Sequence, residues 1–101
     1  MKLTIGDKIY DFEYRLNSIC ELERESGVTV GEVLNMPQYT MLRYMLWAGL
    51  LRHHAMTIDA AGDLAEQYLE ANGRDALIAA ITGAIEAAGF MTAQSKAKAA
   101  K

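Results

Sequence analysis

The chain opens on alternation. Tyr10, Phe12, Tyr14 and Leu16 alternate with Asp11, Glu13 and Arg15, and Leu3 and Ile5 alternate with Lys2 and Thr4. Period two marks a strand with one buried and one wet face, so the first sixteen residues read as a β-hairpin turning at Gly6-Asp7. The loop has to be even. A three-residue loop would set Ile5 opposite Ile9 and Leu3 opposite Asp11, mixing the faces. A two-residue loop sets Leu3 opposite Tyr10, and a four-residue loop sets Ile5 opposite Tyr10. A lone hairpin is marginal in water, so its apolar face is expected to pack on the helices downstream.

From residue 17 onward the chain has helical period and helical punctuation. Asn17 is the expected N-cap of a helix over Ser18 to Ser26, stopped by Gly27. Thr29 and Glu32 have capping-box spacing, with Val28 and Val33 at the staple positions. That second helix is short, Val30 to Asn35, because Pro37 turns Met36 away from helical geometry. A third helix is expected from Gln38 to His53. Thr57 caps a fourth, Ile58 to Ala71, closed by Asn72-Gly73, and a fifth runs from Arg74 to Ala88, closed by Gly89. The expected class is α+β, an N-terminal β-hairpin followed by about five α-helices in a small helical assembly. One domain over 1–89 is expected, with 90–101 as a flexible Lys/Ala tail lacking an apolar stripe.

Composition narrows the functional classes. At 101 residues and 51% apolar, the chain can fill one core without crosslinks or metals. No run long enough to span a membrane occurs, and the first residues turn polar too soon for a signal peptide. With the single cysteine, Cys20, this points to a reducing cytoplasm. The net charge is −3, but Lys96, Lys98 and Lys101 crowd the end; residues 1–95 carry 7 basic and 13 acidic side chains. Such a body repels a phosphate backbone, so no nucleic-acid partner is expected.

The third helix is the most unusual segment. From Met41 to Arg52 its only charges are Arg43 and Arg52. A helix apolar nearly all round is either the central core helix or is buried on one side and offered to a partner on the other. Tyr44, Met45, Trp47 and Leu51 are the candidate partner-binding residues there, with Met36, Met41 and Met56 as adaptable neighbours. The fourth helix divides cleanly, with Ala61, Leu64, Ala65, Tyr68 and Asn72 on one side and Asp59, Asp63, Glu66 and Glu70 on the other. Those acids are either a solvated face or a docking strip for a basic partner, on which Asp63, Glu66 and Glu70 are the candidates. The alanine-rich fifth helix suits close packing, within the chain or between copies as a homo-oligomer.

No catalytic residue, cofactor or metal site is expected. His53 and His54 are adjacent and point about 100° apart, so they form no zinc-binding pair; they suit the dipole at the C-terminal end of the third helix. Cys20 has acidic neighbours and is expected to be a small buried hydrophobe.

Three segments together resemble a known family. They are Arg15-Leu16-Asn17-Ser18-Ile19-Cys20-Glu21-Leu22-Glu23-Arg24-Glu25-Ser26-Gly27 after a short hairpin, Leu46-Trp47-Ala48-Gly49-Leu50, and Met56-Thr57-Ile58-Asp59-Ala60-Ala61-Gly62. In order and spacing they resemble the tail assembly chaperones of long-tailed phages and phage-derived gene transfer agents. The resemblance spans residues 2 to about 89, with Ser26-Gly27 standing where a Thr-Gly pair is common. It implies a non-catalytic role in the host cytoplasm: holding the tape measure protein soluble, recruiting tail tube subunits, and leaving before the virion is mature. It also implies that a longer, frameshifted form can exist. The rival class is a structural virion component, such as a head–tail connector or an oligomerising prophage subunit.

Overall fold

The computed structural model describes residues 1–91. The architecture is α+β, an antiparallel hairpin leading into helices. Strand β1 (Lys2–Ile5) pairs with β2 (Lys8–Asp11) in the register Leu3 to Tyr10 and Ile5 to Lys8. The loop is the two-residue alternative, Gly6-Asp7. Gly6 alone takes a positive φ, 66°, the sign pattern of a type II′ turn. Leu3 and Ile5 are buried, whereas Ile9 lies on the outer face and is 68% exposed.

The strand character stops sooner than the alternation suggests. The Phe12 N–H donates to the Met1 carbonyl at 2.9 Å. The next outward donor, the Glu13 N–H, goes instead to the Gly49 carbonyl at 2.8 Å. Phe12 and Tyr14 stay buried, but Leu16 does not continue that face; it is 62% exposed and opens α1 (Leu16–Ser26). The anchored Tyr14 starts this helix two residues early. Its N-cap is Arg15, with no side-chain cap, and Asn17 stands exposed in the first turn. Gly27 ends the helix at φ 78°, as expected.

The short α2 (Val30–Leu34) carries the full capping box: Thr29 accepts from the Glu32 N–H, and Glu32 accepts from the Thr29 N–H. Glu23 on α1 adds a third acceptor, taking the Val30 N–H at 2.9 Å. Then come α3 (Gln38–Leu51), α4 (Ile58–Asn72) and α5 (Arg74–Ala87). Thr57 caps α4 by accepting from the Ala60 N–H, and Gly73, at φ 87°, makes the corner into α5. Beyond Ala88 the chain re-enters helix over 89–91, and Met91 packs against the core. Of the tail reading, the part from residue 92 onward lies outside the described residues.

Helix α3 is the central element, packed by α1, α2, α4 and α5. Leu42, Met45, Leu46, Ala48 and Leu50 are at most 1% exposed. This explains its apolarity: every residue from Met45 to Leu50 is buried against other elements, while Tyr39 near its start is 65% exposed. Gly49 is required by its neighbour, since a Cβ there would lie 2.1 Å from the Phe12 ring. No helix among the described residues is long and apolar enough to cross a membrane.

Candidate functional site: two grooves flanking the core helix

The candidate residues of α3 divide by burial. Met45 is 0% exposed and Trp47 6%, and the Trp47 indole N–H donates to the Met56 carbonyl at 2.8 Å. Both are interior residues and cannot be part of an open docking face in this conformation. The reason is the number of packed neighbours: with helices on every side, α3 keeps little surface. Tyr44 and Leu51 are half-buried. Asp63, Glu66 and Glu70 are exposed on α4.

The end of α3 is closed by polar contacts. The His53 and His54 N–H groups both donate to the Leu50 carbonyl, which leaves the Gly49 carbonyl free to accept from Glu13. The Tyr14 hydroxyl donates to the Met45 carbonyl at 2.8 Å, and burial pushes its phenol pKa well above the ordinary value, so it stays a donor. His54 Nε2 accepts the Asp11 N–H at 2.9 Å. His54 therefore acts as a neutral acceptor at Nε2, not as the positive end-charge expected from the sequence. Its ring also meets Tyr10 edge-on. His53 pairs with Glu13 at 3.0 Å, and this hydrogen bond, helped by Arg15, holds the Glu13 carboxyl below the usual range. These histidines fasten the hairpin to the core helix, and among the described residues no cluster of metal-ligating side chains forms.

Open surface lies to either side. On one flank, α1, α2 and the 89–91 turn enclose an apolar groove of about 510 Å³. Ile19, Val30, Ile85 and Met91 form its walls, with Leu16, Leu34 and Phe90 at 62%, 39% and 40% exposure. Phe90 also borders two adjoining hollows, one with Met1 and Ala88 and one with Arg52. Cys20 lines this groove and is exposed, contrary to expectation: Ile19 and Leu22 take the inward positions of α1 and the thiol is turned outward between them. Sequence reasoning missed Leu16, Leu34, Phe90 and Met91. The strand alternation absorbs Leu16, and Phe90 and Met91 come after the Gly89 stop. The one available signal is Leu34, an apolar residue ending a helix too short to bury two faces.

On the other flank, α3 and α4 enclose a groove of about 560 Å³. Leu42, Ala65 and Leu69 line it with Glu66 and Glu70 on the α4 side and Arg43 on the α3 side. The Arg43 stem lies against Gly62, where a Cβ would meet its Cδ at 3.0 Å. Its Nε is shielded from solvent with no hydrogen-bond partner, and its guanidinium sits 5.9 Å from the Tyr44 ring centroid. Asp63 and Glu66 at i, i+3 and Glu66 and Glu70 at i, i+4 are like-charge pairs, each costing about 0.2–0.5 kcal/mol on a helix surface.

No family model matches the chain, and no curated protein or solved structure matches it either.

Proposed function

We propose that the protein is a non-catalytic tail assembly chaperone, binding the apolar stripe of a helical tape measure protein and bringing tail tube subunits to it. The observation that carries this reading is the apolar groove around Phe90, where Leu16, Leu34 and Phe90 leave their side chains in water around a wall of aliphatic residues. Large apolar side chains gathered on one exposed face mark a protein-binding surface. A groove between helices suits an amphipathic helix that lays down residues at i, i+3 and i+4. The sequence resemblance to the tail assembly chaperones supplies the partner class. Binding by α1, α2 and the 89–91 turn replaces the assignment to Met45 and Trp47, while Tyr44 and Leu51 sit outside this groove's lining.

Co-expression with the tape measure protein of the same genome tests the reading. The wild-type chain keeps that protein in the soluble fraction. Leu34→Asp and Phe90→Asp, each at an exposed position, release it to the pellet without changing the circular dichroism of the chaperone. Retention of solubility by both variants overturns the proposed face. Mass spectrometry of purified particles decides against the rival structural role: a chaperone is absent, whereas a connector or tail subunit is present in fixed copy number.

A further inference from the structure

We infer that the α3–α4 groove is a second docking surface, which takes a basic amphipathic helix: an apolar stripe flanked by lysines or arginines four residues apart. Three observations lead there. The lining is mixed, with Leu42, Ala65 and Leu69 giving apolar surface for a stripe and Glu66 and Glu70 standing on one wall. The two carboxylates are exposed, and no hydrogen bond or ion pair among the described residues engages either. They are one helical turn apart, the spacing at which an i, i+4 pair of cations on a facing helix presents its charges. Arg43, the cation that lines the α3 wall, has its guanidinium by the Tyr44 ring and pairs with neither carboxylate, so the two acids remain unneutralised.

Charge complementarity selects this occupant over others. Two carboxylates on a rigid helix are too few for a divalent cation, which needs six or more oxygens. A nucleic acid meets an acidic wall. A second copy of this chain carries 10 basic against 13 acidic side chains, a net charge of −3 with the same sign as the wall. This surface is separate from the Phe90 groove, and the inference stands or falls independently of the chaperone assignment.

The test uses the full chain and two synthetic amidated helices. One has leucines at alternating third and fourth positions and lysines spaced four apart; its twin has glutamate in place of each lysine. Backbone amide shifts are followed in titrations at about 50 mM and about 300 mM salt. The lysine helix perturbs amides around Leu42, Ala65 and Leu69, binds at least about tenfold tighter than its twin, and weakens in high salt. Glu66→Lys with Glu70→Lys lowers that affinity at least about tenfold and raises the affinity of the glutamate twin, while the melting curve stays near that of wild type because both positions are exposed. Equal affinity for the twins, absence of binding, or shifts confined to Leu16, Leu34 and Phe90 overturns the inference. The last of these outcomes leaves the proposed chaperone face standing.

Discussion

The two ends of the hydrophobic surface are finished in opposite ways. Where the chain leaves β2 and crosses α3, Phe12 and Tyr14 are at most 1% exposed, and four hydrogen bonds join residues 11–14 to residues 45–54. At the α1–α2 face Leu16, Leu34 and Phe90 stand in water, and the polar bonds there serve local helix ends, such as the Thr29–Glu32 box. One region is closed by contacts between distant parts of the chain; the other is held in shape by short-range devices and left open. A small domain has one central helix to bury, and α3 uses its apolar residues for stability. Side chains available for binding are therefore found on the peripheral elements, not on the most hydrophobic one.

Substitutions at the two regions separate these roles. Gly49→Ala has the largest effect: the new Cβ would overlap a Phe12 ring that is itself 0% exposed. A loss of about 3 kcal/mol is expected, or roughly 12–24 °C in Tm for a domain of this size, read by thermal denaturation. Tyr14→Phe removes the donor to the Met45 carbonyl and costs about 1 kcal/mol, measured by urea unfolding. On the open face, Leu34→Asp and Phe90→Asp change stability by about 0.5 kcal/mol or less, although each removes a whole apolar side chain where the Tyr14 change removes one hydroxyl. A Phe90 variant that unfolds as readily as Gly49→Ala would show that the two regions are one core.

The smallest effect is electrostatic. The Lys2 hydrogen bond, reinforced by its charge, holds the Asp11 carboxyl below its ordinary value, and the His53 hydrogen bond does the same for Glu13. Because the folded values are depressed, the stability they contribute is complete above the ordinary carboxylate pKa of about 4 and is lost as the pH falls through the depressed values. Both carboxylates are solvated, so salt screens the effect. Urea midpoints taken from about pH 6 to about pH 3 should therefore fall less steeply for Lys2→Met than for wild type.

Much of the fold was legible because local rules and tertiary packing agree. The even hairpin loop follows from the strand parity, the Thr29–Glu32 box from a spacing of three, and the stops at Gly27 and Gly73 from a need for positive φ. The misses occur where tertiary contacts decide. Asn17 has the chemistry of a cap, but the anchored Tyr14 starts the helix before it. Tyr44, Met45, Trp47 and Leu51 share a helix whose periodicity cannot tell a core from a contact face, and only the packing of four other helices buries Met45 and Trp47. The acids of α4 were legible as an exposed strip. Their position on the wall of a groove depends on α3 and was not.

The Gly49 carbonyl that accepts from Glu13 also orders events in time. During synthesis the hairpin leaves the ribosome before α3, yet its moorings at Met45, Gly49 and His54 lie more than thirty residues further along the chain. Closing loops of that length costs entropy before any contact offsets it. Until the last turn of α3 emerges, the nascent hairpin carries Phe12 and Tyr14 uncovered, so this domain completes itself from the middle outward.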